Sequence, residues 1–168
     1  MIDPKHTFRL DGFKLRNTIP VIGKQWRVIY RPGRGGGEDN TLSNMLDDLF
    51  RMKNLTIYCD ELSTMAERFP EATKVLADIA RTGREIKVTT WNSIQRPRWV
   101  PRVFLTETEG IFTFSLRAQE DRDYISQFTD PIVKEPIEKH TFWYSHPDED
   151  DIGLMKYNMS KNYIERIG

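Results

Sequence analysis

The sequence predicts an α/β fold with a mainly parallel sheet flanked by helices. Short apolar, β-branched runs alternate with stretches whose apolar residues recur at helical spacing. Proline and glycine mark the joints between them. Acidic or amide residues follow three of the runs (Asp3, Asp60-Glu61 and Asn92–Gln95), where a parallel sheet gathers its ligands.

Taken in order, "MIDPKHTF" reads as the end of a strand, stopped by Asp3-Pro4. A second strand is expected at Trp26–Arg31, broken by Pro32 and by Gly33 and Gly35–Gly37, which make a glycine-rich turn. Leu42, Met45, Leu46, Leu49 and Met52 then share one helical face, with Asn40 or Thr41 as the cap. Leu55–Cys59, "LTIYC", is too short and too closely flanked by turns for a helix, and reads as a strand. Pro70 opens a further helix, with Ala72, Val75, Leu76, Ile79 and Ala80 on one face and Gly83 near its end.

Ile86–Trp91 is a β-branched strand. "QRPRWVPR" is a basic loop stiffened by Pro97 and Pro101, with Trp99 expected to bury beneath it; stacking of Trp99 on a base, with Arg96, Arg98 and Arg102 on phosphates, is the alternative. Gly110–Arg117 alternates apolar and polar residues and is expected as a fourth strand of the same sheet, followed by a short helix in "AQEDRDYISQF". Beyond Pro131 the chain turns extended and acidic, with a peripheral strand and loop at "HTFWYSHPDEDD".

Composition excludes several classes. Lys+Arg and Asp+Glu are both 25, so bulk charge favours neither a nucleic-acid coat nor an acidic tail, and any nucleic-acid contact must be local. The single cysteine, Cys59, excludes an internal disulfide and is expected as a buried, inert thiol. The three histidines lack metal-ligand spacing, which argues against zinc. No run is long enough to span a bilayer and no signal-peptide pattern opens the chain, so a soluble cytoplasmic protein is expected.

The chemistry centres on "LTIYCDE". Unpaired charges are costly to bury, so an apolar strand ending in two carboxylates needs an explanation. In nucleotide hydrolysis the first carboxylate holds magnesium and the second orients or deprotonates the attacking water. The simpler alternative is that Asp60 caps the turn and Glu61 is solvated. The matching phosphate loop, G-x-x-x-x-G-K-[ST], is absent: around Gly23-Lys24-Gln25, position 18 is threonine and position 25 carries no hydroxyl.

Four segments together resemble the FtsK/HerA superfamily of hexameric DNA-pumping ATPases. "IDPKHTF" is similar to the strand end that follows the phosphate-loop helix, and "LTIYCDE" to the Walker B strand. "GREIKVTTWNSIQRPRWVP" resembles the sensor strand and its polar turn ending in Gln-Arg-Pro, and "GIFTFSLRAQEDRDYI" the strand and Asp-Arg turn after it. Order and approximate spacing agree over Ile2–Ile125. The turn Asn92-Ser93-Ile94-Gln95 is longer than the usual Thr-Gln.

The resemblance implies a RecA-like P-loop NTPase core over residues 1–130, its first strand and phosphate loop missing ahead of Ile2. Residues 131–168 would be an extended, acidic extension packing on that core. It implies ATP and Mg2+ as cofactors, with Asp60 on the metal and Glu61 polarising the attacking water. Gln95 or Asn92 would sense the γ-phosphate, and Asp3 and Lys5 would lie at the nucleotide. Arg84 would be an arginine finger acting on a neighbouring subunit, with Arg81 and Arg122 as rivals and a surface ion pair as the alternative for each. The implied partners are double-stranded DNA and further copies of the chain in a ring, a hexamer. The implied function is a DNA translocase or packaging motor of a phage or mobile element, inactive as these residues alone. A non-catalytic domain retaining a degenerate ATPase fold is the competing reading, and a metal-dependent nuclease a third.

Overall fold

The computed structural model describes residues 1–7, 9–16, 27–33, 37–147 and 152–168. It is a mixed α/β chain that divides into two compact units, residues 1–95 with 99–104 and residues 96–98 with 105–168.

In the first unit, strand β1 (Lys14–Arg16) pairs in parallel with β2 (Val28–Tyr30). Helix α1 (Glu38–Met52) follows, longer at its start than the apolar stripe implied, with Leu42, Met45 and Leu46 buried. Strand β3 (Leu55–Cys59) is succeeded by α2 (Leu62–Arg68) and α3 (Pro70–Thr82), and β4 (Val88–Asn92) pairs in parallel with β3, Cys59 opposite Asn92. Ile2 lies between the two strand pairs, bridged in parallel to both Tyr30 and Cys59. Its N–H donates to Tyr58 O at 2.7 Å, and its carbonyl accepts the Asp60 N–H at 3.0 Å. The residues from β1 to β4 thus share one direction, with the N-terminal residues in the middle.

The helices are placed by their apolar faces. Leu42, Met45 and Leu46 of α1 join Ala72, Leu76 and Ile79 of α3 in one core with Ile2, Ile57, Cys59 and Val88. The two helices are also joined at an end: both Asp39 carboxylate oxygens accept the first free N–H groups of α3, from Ala72 at 2.9 Å and Glu71 at 3.0 Å. Gly83 ends α3 where a Cβ would stand 2.6 Å from Val88 O, so the chain can turn back closely into β4 only with glycine there. Trp26 and Arg34–Gly36, placed above in the second strand and the glycine turn, lie outside the described residues.

Gly110–Arg117 does not join this sheet. Within the second unit, α4 (Val103–Thr106), which begins in the first, leads to β5 (Ile111–Thr113), which is antiparallel to β6 (Thr141–Ser145). With β7 (Gly153–Asn158) and β8 (Tyr163–Arg166) they form a four-stranded antiparallel sheet in the order β5-β6-β7-β8. Alternation of apolar and polar residues is the mark of a strand with one wet face, which an antiparallel sheet tolerates and a covered parallel one does not. The faces are reversed from the simple pattern, however: Phe112 and Phe114 are 40% and 57% exposed, while Thr113 is buried. "TFWYS" is likewise an interior strand, with Phe142 and Trp143 buried. Helix α5 (Gln119–Ile125) forms as expected. No helix among the described residues is long and apolar enough to cross a membrane.

Candidate functional site

The site is built where the parallel strands end. Because Cys59 is opposite Asn92, the residues that follow these two strands, Asp60 and Ser93, also meet. The Ser93 hydroxyl donates to Asp60 Oδ1 at 2.8 Å and accepts the Glu61 N–H at 2.8 Å. Ser93 therefore fixes both acidic residues through one oxygen. Burial pushes the Asp60 carboxyl up from its ordinary range, opposed by the Ser93 hydrogen bond and reinforced by the charge of Asp3.

Glu61 is held unusually for its type. Its backbone is left-handed, φ 56° and ψ 69°, at the N-cap of α2, where its side chain makes no capping hydrogen bond. That conformation costs a non-glycine residue about 1–2 kcal/mol. Its side chain is only 4% exposed. Oε2 accepts from Lys5 Nζ at 3.0 Å, and Oε1 from the Ser63 hydroxyl at 3.0 Å and the Gln95 N–H at 3.4 Å. The carboxylate thus faces the N-terminal residues on one side and the turn after β4 on the other.

Asp3 is fully buried and pairs with Arg31, Nε to Oδ2 3.0 Å, while its Oδ1 accepts the Thr7 N–H at 3.0 Å. These bonds fold Pro4–Thr7 over the edge, a turn held further by Arg68, which donates to Pro4 O at 2.9 Å and Gly33 O at 3.4 Å. Asp3 thereby supports the loop that carries Lys5. Asn92 closes β4 with its Oδ1 buried and lacking a hydrogen-bond donor among the described residues. Gln95 is exposed and reaches Glu61 through its backbone.

Asp3, Lys5, Asp60, Glu61, Asn92 and Gln95 are therefore gathered at one sheet edge, and Arg84 is not. Arg84 sits in the 3-10 turn Gly83–Ile86 ahead of β4, at the amino-terminal edge. Arg81 pairs with Asp78 at 2.6 Å on the exposed face of α3. Arg122 caps the carbonyls of Leu116 and Arg117 at 2.6 and 3.1 Å within the second unit. Trp99, expected to bury, is 61% exposed, because the turn Pro97–Trp99 buries Pro97 instead. Cys59 is buried as expected, its thiol pushed up to about 12 by burial.

Sequence reasoning missed Ser63 and Ser93. The signal for Ser93 was available: the residue after β4 must lie beside the residue after β3 once the two strands pair in register. Ser63 had none, since α2 itself carries no clear helix-start signal.

No protein-family model matches the chain, and no curated protein matches it in sequence. Solved structures do match in fold. The genome packaging NTPase B204 of Sulfolobus turreted icosahedral virus 2, in complex with AMP, superposes with a TM-score of 0.60 at 12% identity over 92% of this chain and 73% of that one. The same NTPase in complex with AMPPCP gives 0.60 at 11% identity over 92% and 72%. The chain shares its fold with this viral genome-packaging NTPase.

Proposed function

We propose that the chain forms the greater part of an ATP-hydrolysing motor domain of FtsK/HerA type that moves or packages double-stranded DNA. The observation that carries the reading is Glu61: a carboxylate kept in a left-handed backbone and out of water, beside a second carboxylate, at the ligand-gathering edge of a parallel sheet. The fold shared with a packaging NTPase supports it.

In this reading Glu61 orients the attacking water and takes its proton, for which Lys5 and Ser63 must release the carboxylate oxygens they hold. Asp60, with Ser93 on one oxygen, offers its other oxygen to a magnesium ion. The donor set fits. Magnesium is commonly held by one or two carboxylates plus substrate phosphates, and Asp60 has an oxygen beyond the one bonded by Ser93. When bound, the ion supplies neutralisation of phosphate charge. The orphaned Asn92 Oδ1 suits the proton of a water, and its amide the γ-phosphate. Arg84 serves a neighbouring copy in a ring-shaped oligomer, a hexamer. No phosphate loop lies within these 168 residues, and turnover in this reading requires one.

A second reading, a non-catalytic domain retaining the fold, is favoured by one observation: both Glu61 oxygens are engaged within the chain. The deciding experiment is ATP turnover by the chain joined to whatever its gene encodes ahead of Met1, with and without double-stranded DNA, beside Glu61→Gln. DNA-stimulated turnover that falls by about 10²-fold or more in the variant is expected. Turnover indifferent to Glu61, or none, leaves the non-catalytic reading.

A further inference from the structure

We propose that two copies of the chain associate through β8, edge to edge across a two-fold axis, making one continuous eight-stranded sheet. The inference is independent of the nucleotide reading and rests on the second unit alone.

Strand β8 is an edge of its sheet. The Ile167 N–H donates inward to Leu154 O at 2.8 Å, and the register pairs Glu165 with Lys156 and Tyr163 with Asn158. In an antiparallel ladder the backbone groups of successive residues point to opposite sides, so Tyr163 and Glu165 bond inward to β7. Ile164 presents its N–H and C=O groups outward. Tyr163–Arg166 contains no proline or bulge, and its register with β7 is uninterrupted over four pairs; its short length and the charges of Glu165 and Arg166 restrict the pairings it can accept. Ile164 is 51% exposed on the edge, beside Tyr157 at 38% on the same face.

The strand is self-complementary in one register. A two-fold axis perpendicular to the sheet keeps each face on its own side, so residues opposite one another must share a face. Centring the axis on Ile164 places Ile164 against its own copy as a hydrogen-bonded pair, exchanging two backbone bonds. Tyr163 then stands opposite Glu165 of the second copy, and Glu165 opposite Tyr163. Within one chain the Tyr163 hydroxyl already donates to Glu165 Oε2 at 2.9 Å, so the association adds a second phenol to each carboxylate. Moving the axis one residue, to Glu165, sets two carboxylates directly opposite each other, which is unfavourable. Asn162, with φ 54°, ends the ladder. The apolar pair Tyr157 and Ile164 of each copy then meets its counterpart, covering exposed surface on both.

Sedimentation velocity of the full chain should show a concentration-dependent species of twice the chain mass. Ile164→Pro removes only an outward N–H, which an edge strand tolerates. It should weaken the dimer at least tenfold while leaving the thermal transition within a few degrees. Ile164→Cys should form an intermolecular disulfide under mild oxidation, because a hydrogen-bonded antiparallel pair sets Cα atoms about 5.5 Å apart, within disulfide reach. The single native cysteine is buried and does not compete. Glu165→Cys should link much more slowly. A chain that stays monomeric at every concentration, an assembly unaffected by Ile164→Pro, or faster linkage through position 165 would each overturn the proposal.

Discussion

Replacing Asp3 with alanine should be among the most destabilising single changes in the first unit. Asp3 has no exposed surface and its partner Arg31 has a side chain only 13% exposed, with 3.0 Å between Nε and Oδ2. Removing one member of a buried pair takes away the nearest opposite charge from the other, at a typical cost of about 3–5 kcal/mol. Because water reaches part of the Arg31 guanidinium, about 3 kcal/mol is the expected loss. The Thr7 N–H adds little, since Thr7 is exposed and water replaces the lost acceptor. Against a typical total of about 5–15 kcal/mol this is a large fraction. At roughly 2–4 °C per kcal/mol for a chain of this size, the melting temperature should fall by roughly 6–12 °C, read by circular dichroism and checked by urea titration. The control is Asp3→Leu with Arg31→Met, which should recover most of the loss because apolar replacement of a buried pair is often neutral. A loss under about 1 kcal/mol, or a double variant no better than the single one, would refute the assignment of Asp3 to the loop's foundation.

Two further outcomes follow from the carboxylate pair. Glu61→Asn should change stability by less than about 1 kcal/mol in urea denaturation, because asparagine relieves the left-handed backbone strain while forfeiting the bonds from Lys5 and the buried Ser63 hydroxyl. A loss well beyond about 1 kcal/mol would mean that the Glu61 side-chain bonds outweigh the backbone strain. Asp60→Asn should stabilise the chain at pH 7. The folded carboxyl titrates above its unfolded value, chiefly through burial, so the folded state holds its proton more tightly and stability is lost as pH rises through the carboxylate range toward the folded pKa. The variant's advantage in melting temperature should therefore be full at pH 7 and vanish below the unfolded carboxylate pKa. An advantage that grows on acidification would contradict the sign.

The parts legible in the sequence were those whose residues decide their own structure. Pro70 followed by Ala72, Leu76 and Ile79 specifies α3 before any tertiary contact is known, and β3 and β4 are apolar or β-branched enough to admit little else. Three strands escape a reading of the sequence: "KLR" in β1 and "YIER" in β8 are exposed along most of their length and owe their state to a neighbour's backbone, and the half-buried "GLMKYN" of β7 carries no clear period. The alternation in Gly110–Arg117 identified a strand but was credited to the wrong sheet, since alternation reports one wet face and not which strand lies alongside. At the site, Asp60 and Glu61 stood out because charges after an apolar run are conspicuous. Asp3 is marked by its place after a strand and Lys5 only by resemblance, and their roles differ: Lys5 engages Glu61, and Asp3 pairs with Arg31.

The position of Arg84 bears on how such a domain would have to work. Arg84 precedes β4, and the carboxylate site lies beyond its far end. Five residues of parallel strand, at about 3.3 Å each, separate the two edges, further than an arginine side chain extends. No rearrangement that preserves the β3–β4 register brings Arg84 to Glu61 of the same chain. If Arg84 stabilises phosphate charge at all, the nucleotide belongs to another copy, and its removal should abolish turnover without altering nucleotide binding by its own subunit. Mixing an Arg84→Ala chain with a Glu61→Gln chain would then restore part of the activity, because each supplies what the other lacks across one class of interface. Failure of that complementation, with both single variants inactive, would place the finger elsewhere and return Arg84 to the surface of its turn.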